Sequence, residues 1–296
     1  MAITAVVAAV GMLVDDRYLV GSPIWFKPFK FSVSFVLYAV TWAWMISKQH
    51  RDRRWASRFG TVIALTGAVE MLIIVGQTVR GERSHFNVAT PLDSALWSLM
   101  AGTIVVLWVA NLGGGILLLR ERLADRPSMW AIRSGVGIAL IGLALGFLMT
   151  RPTEQQLASD TMDVVGAHSV GVPDGGPSVP VTGWSTTGGD LRIPHFVGMH
   201  ALQALPLFAI GLGLLARRRH RLRDDLVRVR LIWVAAGTYA GVVGLVTWQA
   251  LRGQSLFSPD GWTLAALGVL LAAAAAAATA AIATKRRVPT REGAPA

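Results

Sequence analysis

Cysteine is absent from the 296 residues of the chain. Disulfides, iron–sulfur clusters and thiolate metal sites are therefore excluded. Charge is scarce too: Asp, Glu, Lys and Arg make up 15% of the chain, where a soluble domain carries roughly 25%. The shortfall is concentrated in long runs with almost no charge, so lipid rather than water is the expected solvent for most of the chain. Acids are scarcer than bases, 17 against 28. No His-Glu-x-x-His pair, phosphate-binding glycine loop or nucleophile elbow occurs at a suitable place, and no soluble catalytic domain stands beside the apolar runs. Hydrocarbon is what the chain has in plenty: 53% of its residues are hydrophobic and its mean hydropathy is +0.51.

The charge-poor runs cover 2–14, 29–47, 59–79, 94–119, 129–149, 194–216, 230–251 and 261–284, each ended by charges, Pro or Gly. At about 20 residues per crossing, this pattern predicts an all-α, polytopic transmembrane helix bundle of about eight spans. The first run is short, because Asp15, Asp16 and Arg17 close it; about seven spans remain if it does not cross. No basic residue precedes it and no small-residue cleavage site follows it, which argues against a signal peptide. The expected organisation is one transmembrane domain over 1–284, with a cap at about 150–193 and a basic tail at 285–296.

Lys and Arg alternate along the breaks. Four breaks hold 20 of the 28 basic residues: 48–58, 120–133, 217–230 and the tail with Lys285, Arg286, Arg287 and Arg291. By the positive-inside rule these are cytoplasmic. The C-terminus is then inside the cell and the 150–193 segment lies outside. If the first run does not cross, the N-terminus lies outside and every later assignment stands. The net charge of +11 is thus a topology signal and not a mark of nucleic-acid binding.

Function is expected where ionisable groups occur despite the cost of placing them in hydrocarbon, about 2.5–3.5 kcal/mol for a central charge on insertion scales. Glu70 meets that test, lying roughly 15 Å from each end of its run at 1.5 Å per residue. Gln77, seven positions on, continues a polar stripe toward the outer side. Of six histidines, His50 and His220 sit among cytoplasmic arginines, while His85, His168, His195 and His200 belong to the outer half. On a regular helix His195 and His200 point about 140° apart, whereas His200 and Gln203 share a face. Lys27, Lys30, Arg80 and Arg192 stand on the outer side against the positive-inside trend. Snorkelling accounts for the two lysines, and an anion or carboxylate partner, Glu70 or a ligand, is the competing reading.

In the break 80–93, Asp93 or Ser94 is expected to cap the following helix. The first part of the long break, TEQQLASDTMDVVGAHS, suggests a surface helix, and the second, GVPDGGPSVPVTGWSTTGGD, is turn-rich. Trp184 and the marked return into LRIPHF favour an ordered cap over a flexible linker, with Arg192 and His195 at its hinge. Gly113–Gly115 permit close helix contact or a bend.

The strings PIWFKPFKFSVSF at 23–35, QTVRGERSHFN at 77–87 and GWSTTGGDLRIPHFVGMHALQALP at 183–206 together resemble an uncharacterised family of bacterial multi-pass membrane proteins. The resemblance spans most of the chain. It implies a helical plasma-membrane protein whose outer-facing strings form a shared site, and it supplies no reaction.

Three functions compete. In the first, His85 and His200, or His195 and His168, bind haem b or a metal ion for redox chemistry, with Gln77 and Gln203 orienting them. In the second, Glu70 titrates in a proton-coupled transporter whose outer route runs past Gln77 and His200. In the third, a non-enzymatic sensor binds a small-molecule ligand at its outer face. The lipid bilayer is the expected partner and nucleic acid is not. Substrate, enzymatic activity and oligomeric state are not legible from the residues.

Overall fold

An apolar chain that must satisfy its own backbone in lipid has two solutions, a helix or a closed barrel, and this chain takes the first. The computed structural model describes residues 1–121 and 125–283. The basic tail 285–296 and Arg122 lie outside the described residues. Ten α-helices follow in order among the described residues: α1 (Ala2–Val14), α2 (Phe26–Ser47), α3 (Arg53–Arg80), α4 (Pro91–Arg120), α5 (Arg126–Leu145), α6 (Glu154–Leu157), α7 (Arg192–Met199), α8 (Ala201–Ala216), α9 (Asp225–Leu251) and α10 (Gly261–Ala283).

Six of these are long and apolar enough to cross a membrane, and the bent pair α7–α8 makes seven when it is counted as one span. The expected eighth is missing because α1 has 13 residues, about 20 Å at 1.5 Å per residue against a hydrocarbon core of about 30 Å. Large apolar side chains such as Leu72, Leu207 and Val269 face outward at 74%, 65% and 70% exposure, as lipid-facing residues do. The interior is built by α5, α8 and α9 on one side and by α2, α3, α4 and α5 on the other. Helix α10 packs on α9.

The caps explain the helix starts. Helix α4 begins at Thr90, whose side chain accepts from the Asp93 N–H, with Pro91 in the first turn. Asp93 is therefore not the cap as expected; it sits in the first turn and accepts from the Thr90 hydroxyl at 2.6 Å. Three successive glycines of α4 make room for bulk from three helices, with Phe59 over Gly113, Trp42 over Gly114 and Val136 over Gly115.

One end of the bundle, the cap end, gathers residues 15–25, 81–90, 146–191 and 252–260. Arg17 donates to the Val79 carbonyl, Asn87 bridges to Val164 and Ser255 donates to the Ser185 carbonyl. The expected surface helix after Thr153 stops at Leu157. Gln156 completes a capping box with Thr153 and then clamps both backbone groups of Gly166 at 2.9 Å, which turns the chain away. Two short antiparallel pairs, Tyr18–Leu19 with Ser22–Pro23 and Ser169–Val170 with Gly189–Asp190, complete this end. The opposite, arginine-rich end holds the 48–52 and 217–224 turns.

The run read as one helix at 194–216 is broken at His200 with a bend of 43°. Pro206 inside α8 lacks the N–H for its ladder bond and crowds the carbonyl one turn back. The Tyr239 hydroxyl of α9 donates to the Val197 carbonyl at 2.6 Å. Gly198 meets Gly142 of α5 so closely that a Cβ on Gly142 would lie 2.3 Å from the Gly198 carbonyl carbon.

Gly142→Val should therefore lower stability by about 1–3 kcal/mol or more through overpacking, read as a drop in the thermal unfolding midpoint in detergent. Gly76→Ala, where an added Cβ meets nothing within 4 Å, should leave the midpoint unchanged or raise it.

Candidate functional site

Glu70 lies ten residues before the end of α3, about 15 Å below the cap end, and is 1% exposed. Its Oε1 is 2.5 Å from the Thr103 hydroxyl of α4, and that hydroxyl is also 2.9 Å from the Met100 carbonyl. A hydroxyl has one proton to give. A protonated Glu70 donating to Thr103, which donates to Met100, satisfies both contacts; an ionised Glu70 needs Thr103 to turn from Met100. The other carboxyl oxygen, Oε2, is buried without a hydrogen-bond partner among the described residues. Lys27 is the charged group whose field reaches Glu70.

Lys27 sits in the first turn of α2, and its ammonium lies 3.1 Å from His85 Nδ1. An ammonium only donates, so Nδ1 accepts and the ring proton is on Nε2. Phe31, Phe86 and Trp97 surround the imidazole at centroid distances of 5.7, 6.0 and 5.7 Å. Burial, and after it the Lys27 ammonium, push His85 well below its usual value of 6.5. Phe86 also meets the His168 ring, edge to face at 5.0 Å. His168 Nδ1 donates to Asp174 at 3.0 Å, leaving the Nε2 lone pair free. Burial lowers its pKa despite the opposing pull of Asp174. Burial works against ionisation of Asp174, yet hydrogen bonds from the His168 side chain and from the His168 and Ser169 backbone hold its carboxyl well below the usual carboxylate range.

Lys30, one turn after Lys27, donates to the Thr182 carbonyl at 2.9 Å and lies over the Phe26 ring at 4.4 Å. Arg192 donates to the adjacent Gly183 carbonyl at 2.5 Å and is paired with Asp190, whose side chain is fully buried. Asp190 also accepts from the Ser185 N–H at 2.8 Å, which ties the cap to the start of α7.

His195 and His200 form a second group around the broken span. Where α5 tightens into a 3₁₀ turn at Gly146–Thr150, the Gly146 N–H bonds Leu143 and Ala144, and the Gly142 carbonyl accepts from His195 Nδ1 at 2.8 Å. His200 Nδ1 is 3.3 Å from Gln203 Oε1, and Gln203 donates to Thr41 of α2 at 3.2 Å.

Gln77 and Arg80 belong to neither. Gln77 donates to Asp93 at 2.8 Å and Arg80 bonds both Asp93 and Gln77, a clasp between α3 and α4. Glu70 and Gln77 do share a buried face, but Gln77 is occupied by this clasp. The residues that sequence reasoning missed are Thr103, Phe86, Asp174 and Asp190. A carboxylate two residues before Arg192 was the visible signal for Asp190; Asp174 lay hidden in a turn-rich string.

Among the described residues no group of three His, Cys, Asp or Glu side chains converges as a metal-binding set. Compared with protein families, with curated proteins and with solved structures, the chain matches none.

His85 and His168 bind protons less readily in the fold than in the unfolded chain, so their contribution to stability is full above about pH 6.5 and is lost as pH falls below it. Asp174 adds a further loss only below about pH 4. Thermal unfolding in detergent should show a midpoint that falls from about pH 7 to about pH 5; His85→Gln should make that fall shallower. A decline of equal slope in the variant would remove His85 from this account.

Proposed function

We propose that this protein is a proton-coupled carrier of the bacterial plasma membrane, with Glu70 as the group that takes up and releases the proton and the cap end as its outer mouth. The observation that carries this reading is the environment of Glu70: a carboxyl near mid-bilayer depth with one oxygen unpartnered and the other on a hydroxyl that can either receive or give the hydrogen bond. An ionisable residue at that depth is retained against its insertion cost when it works. The broken α7–α8 span supports the same reading, because discontinuous helices build the mid-membrane sites of many carriers. The outer route runs through Lys27, His85 and His168 rather than through Gln77. The C-terminus is cytoplasmic, and the three strings at 23–35, 77–87 and 183–206 mark the shared site of the family the chain resembles.

The haem b or metal reading keeps one observation: His168, His195 and His200 each engage Nδ1 and leave Nε2 free to ligate. His85, named first on sequence grounds, presents an N–H there instead.

The test is the carboxyl C=O stretch in infrared difference spectra between acidic and alkaline detergent samples. A titrating band in a dry environment should vanish in Glu70→Gln, while the variant unfolds at the wild-type temperature. In proteoliposomes exposed to a carbon-14-labelled cell extract, Glu70→Gln should retain exchange of label and lose acid-driven accumulation by about tenfold or more. An unchanged band or unchanged accumulation would overturn the reading.

A further inference from the structure

Helices α2 and α7 both start at the cap end with no side-chain cap and no acid in the first turn. Each carries a cation there, Lys27 in α2 and Arg192 in α7. Cations at helix N-termini have the wrong sign for the helix dipole, and Lys27 with Lys30, three apart, forms a like-charge pair on one helix face. Arg192 is neutralised by Asp190; among the described residues no carboxylate is in contact with either lysine. Each ammonium has three N–H donors and gives one to a protein acceptor, His85 Nδ1 for Lys27 and the Thr182 carbonyl for Lys30. The charged groups whose fields reach Lys27 are Lys30, Arg192, Glu70 and Asp174, with His85 in contact and His168 beyond it. Below them, Glu70 Oε2 is buried and unpartnered.

From this geometry we infer that Lys27 and Lys30 bind the carboxylate of a small organic anion, which competes with Glu70 for the Lys27 ammonium. The inference rests on the proton-carrier reading and names its substrate class. The rings of Phe26 and Phe31 beside the two ammonium groups, at 4.4 and 5.9 Å, suit a carboxylate with an apolar body better than a strongly hydrated phosphate. Coupling follows from charge. An anion on Lys27 removes the cation that favours ionised Glu70 and places a second negative charge near it, so Glu70 takes a proton from the outer aqueous phase as the anion binds. The two events are linked and each promotes the other. Release of the anion on the far side frees Lys27 and returns the proton.

Isothermal titration of the full chain in detergent with sodium benzoate, repeated in buffers of different ionisation enthalpy, reads both binding and proton uptake. Wild type should take up about one proton per benzoate at a pH where Glu70 is ionised. Glu70→Gln should bind benzoate without the uptake, and Lys27→Met should weaken binding by about tenfold or more. Lys27→Arg, which keeps the charge, should retain binding and guards against a folding defect in the methionine variant. Choline should not bind, and inorganic phosphate should bind more weakly than benzoate. Benzoate binding that survives Lys27→Met, or proton uptake that persists in Glu70→Gln, would overturn the inference, as would phosphate binding tighter than benzoate. If benzoate fails to bind while Glu70→Gln still abolishes acid-driven accumulation, the anion falls and the proton carrier stands.

Discussion

The contact between Thr103 and Glu70 joins α3 to α4 at a depth where water is scarce, and it sets the terms for everything above it. A carboxyl there must be neutral, paired or fed by a nearby cation. The hydroxyl can hold Oε1 in either protonation state, Lys27 is the charged group whose field reaches the carboxyl, and among the described residues nothing bonds Oε2. The bundle around it is apolar and close-fitting, with Ile74 and Met100 almost wholly buried. The polar groups on the cap-end side of Glu70 begin with Lys27, whose field reaches Glu70 and whose ammonium meets His85.

These contacts join chain segments far apart in sequence. Lys27 and His85 are separated by 58 positions, and Lys30 and Thr182 by 152. The 151–191 stretch holds such contacts by local devices: the Gln156 clamp on Gly166, the Asp174 carboxylate gathering the His168 and Ser169 amides, and the Asp190–Arg192 pair. Each buries backbone donors that would otherwise face apolar surroundings unsatisfied.

The helical bundle was legible because hydrocarbon demands long uncharged runs, and the breaks between them hold the charge. Glu70 stood out for the same reason. Thr103 did not, since a threonine in an apolar helix usually bonds a carbonyl of its own preceding turn and signals nothing more. Position along a helix suggested that Gln77 continues a polar path, but only the packed structure reveals that Asp93 and Arg80 occupy it. The broken span was masked by hydropathy: Pro206 was in plain view, yet a proline in a transmembrane run is compatible with an unbroken helix when neighbours repair the backbone. The break itself falls six residues earlier, at His200, where the Val197 carbonyl is taken up by the Tyr239 hydroxyl, 42 residues on in the chain. Of the two span counts the sequence allowed, the structure matches the lower, because the first run is apolar without being long enough.

Tyr239 has a mechanical implication. Because the Val197 carbonyl is anchored to a hydroxyl on α9, and Gly198 lies backbone to backbone against Gly142 on α5, the half-helix α7 is gripped from two sides, one grip polar and the other purely steric. Both grips fall in the last turn of α7, while Arg192 ties its first turn to the cap and His200, just past its end, is held through Gln203 to α2. One short helix thereby fastens α2, α5, α9 and the cap to one another.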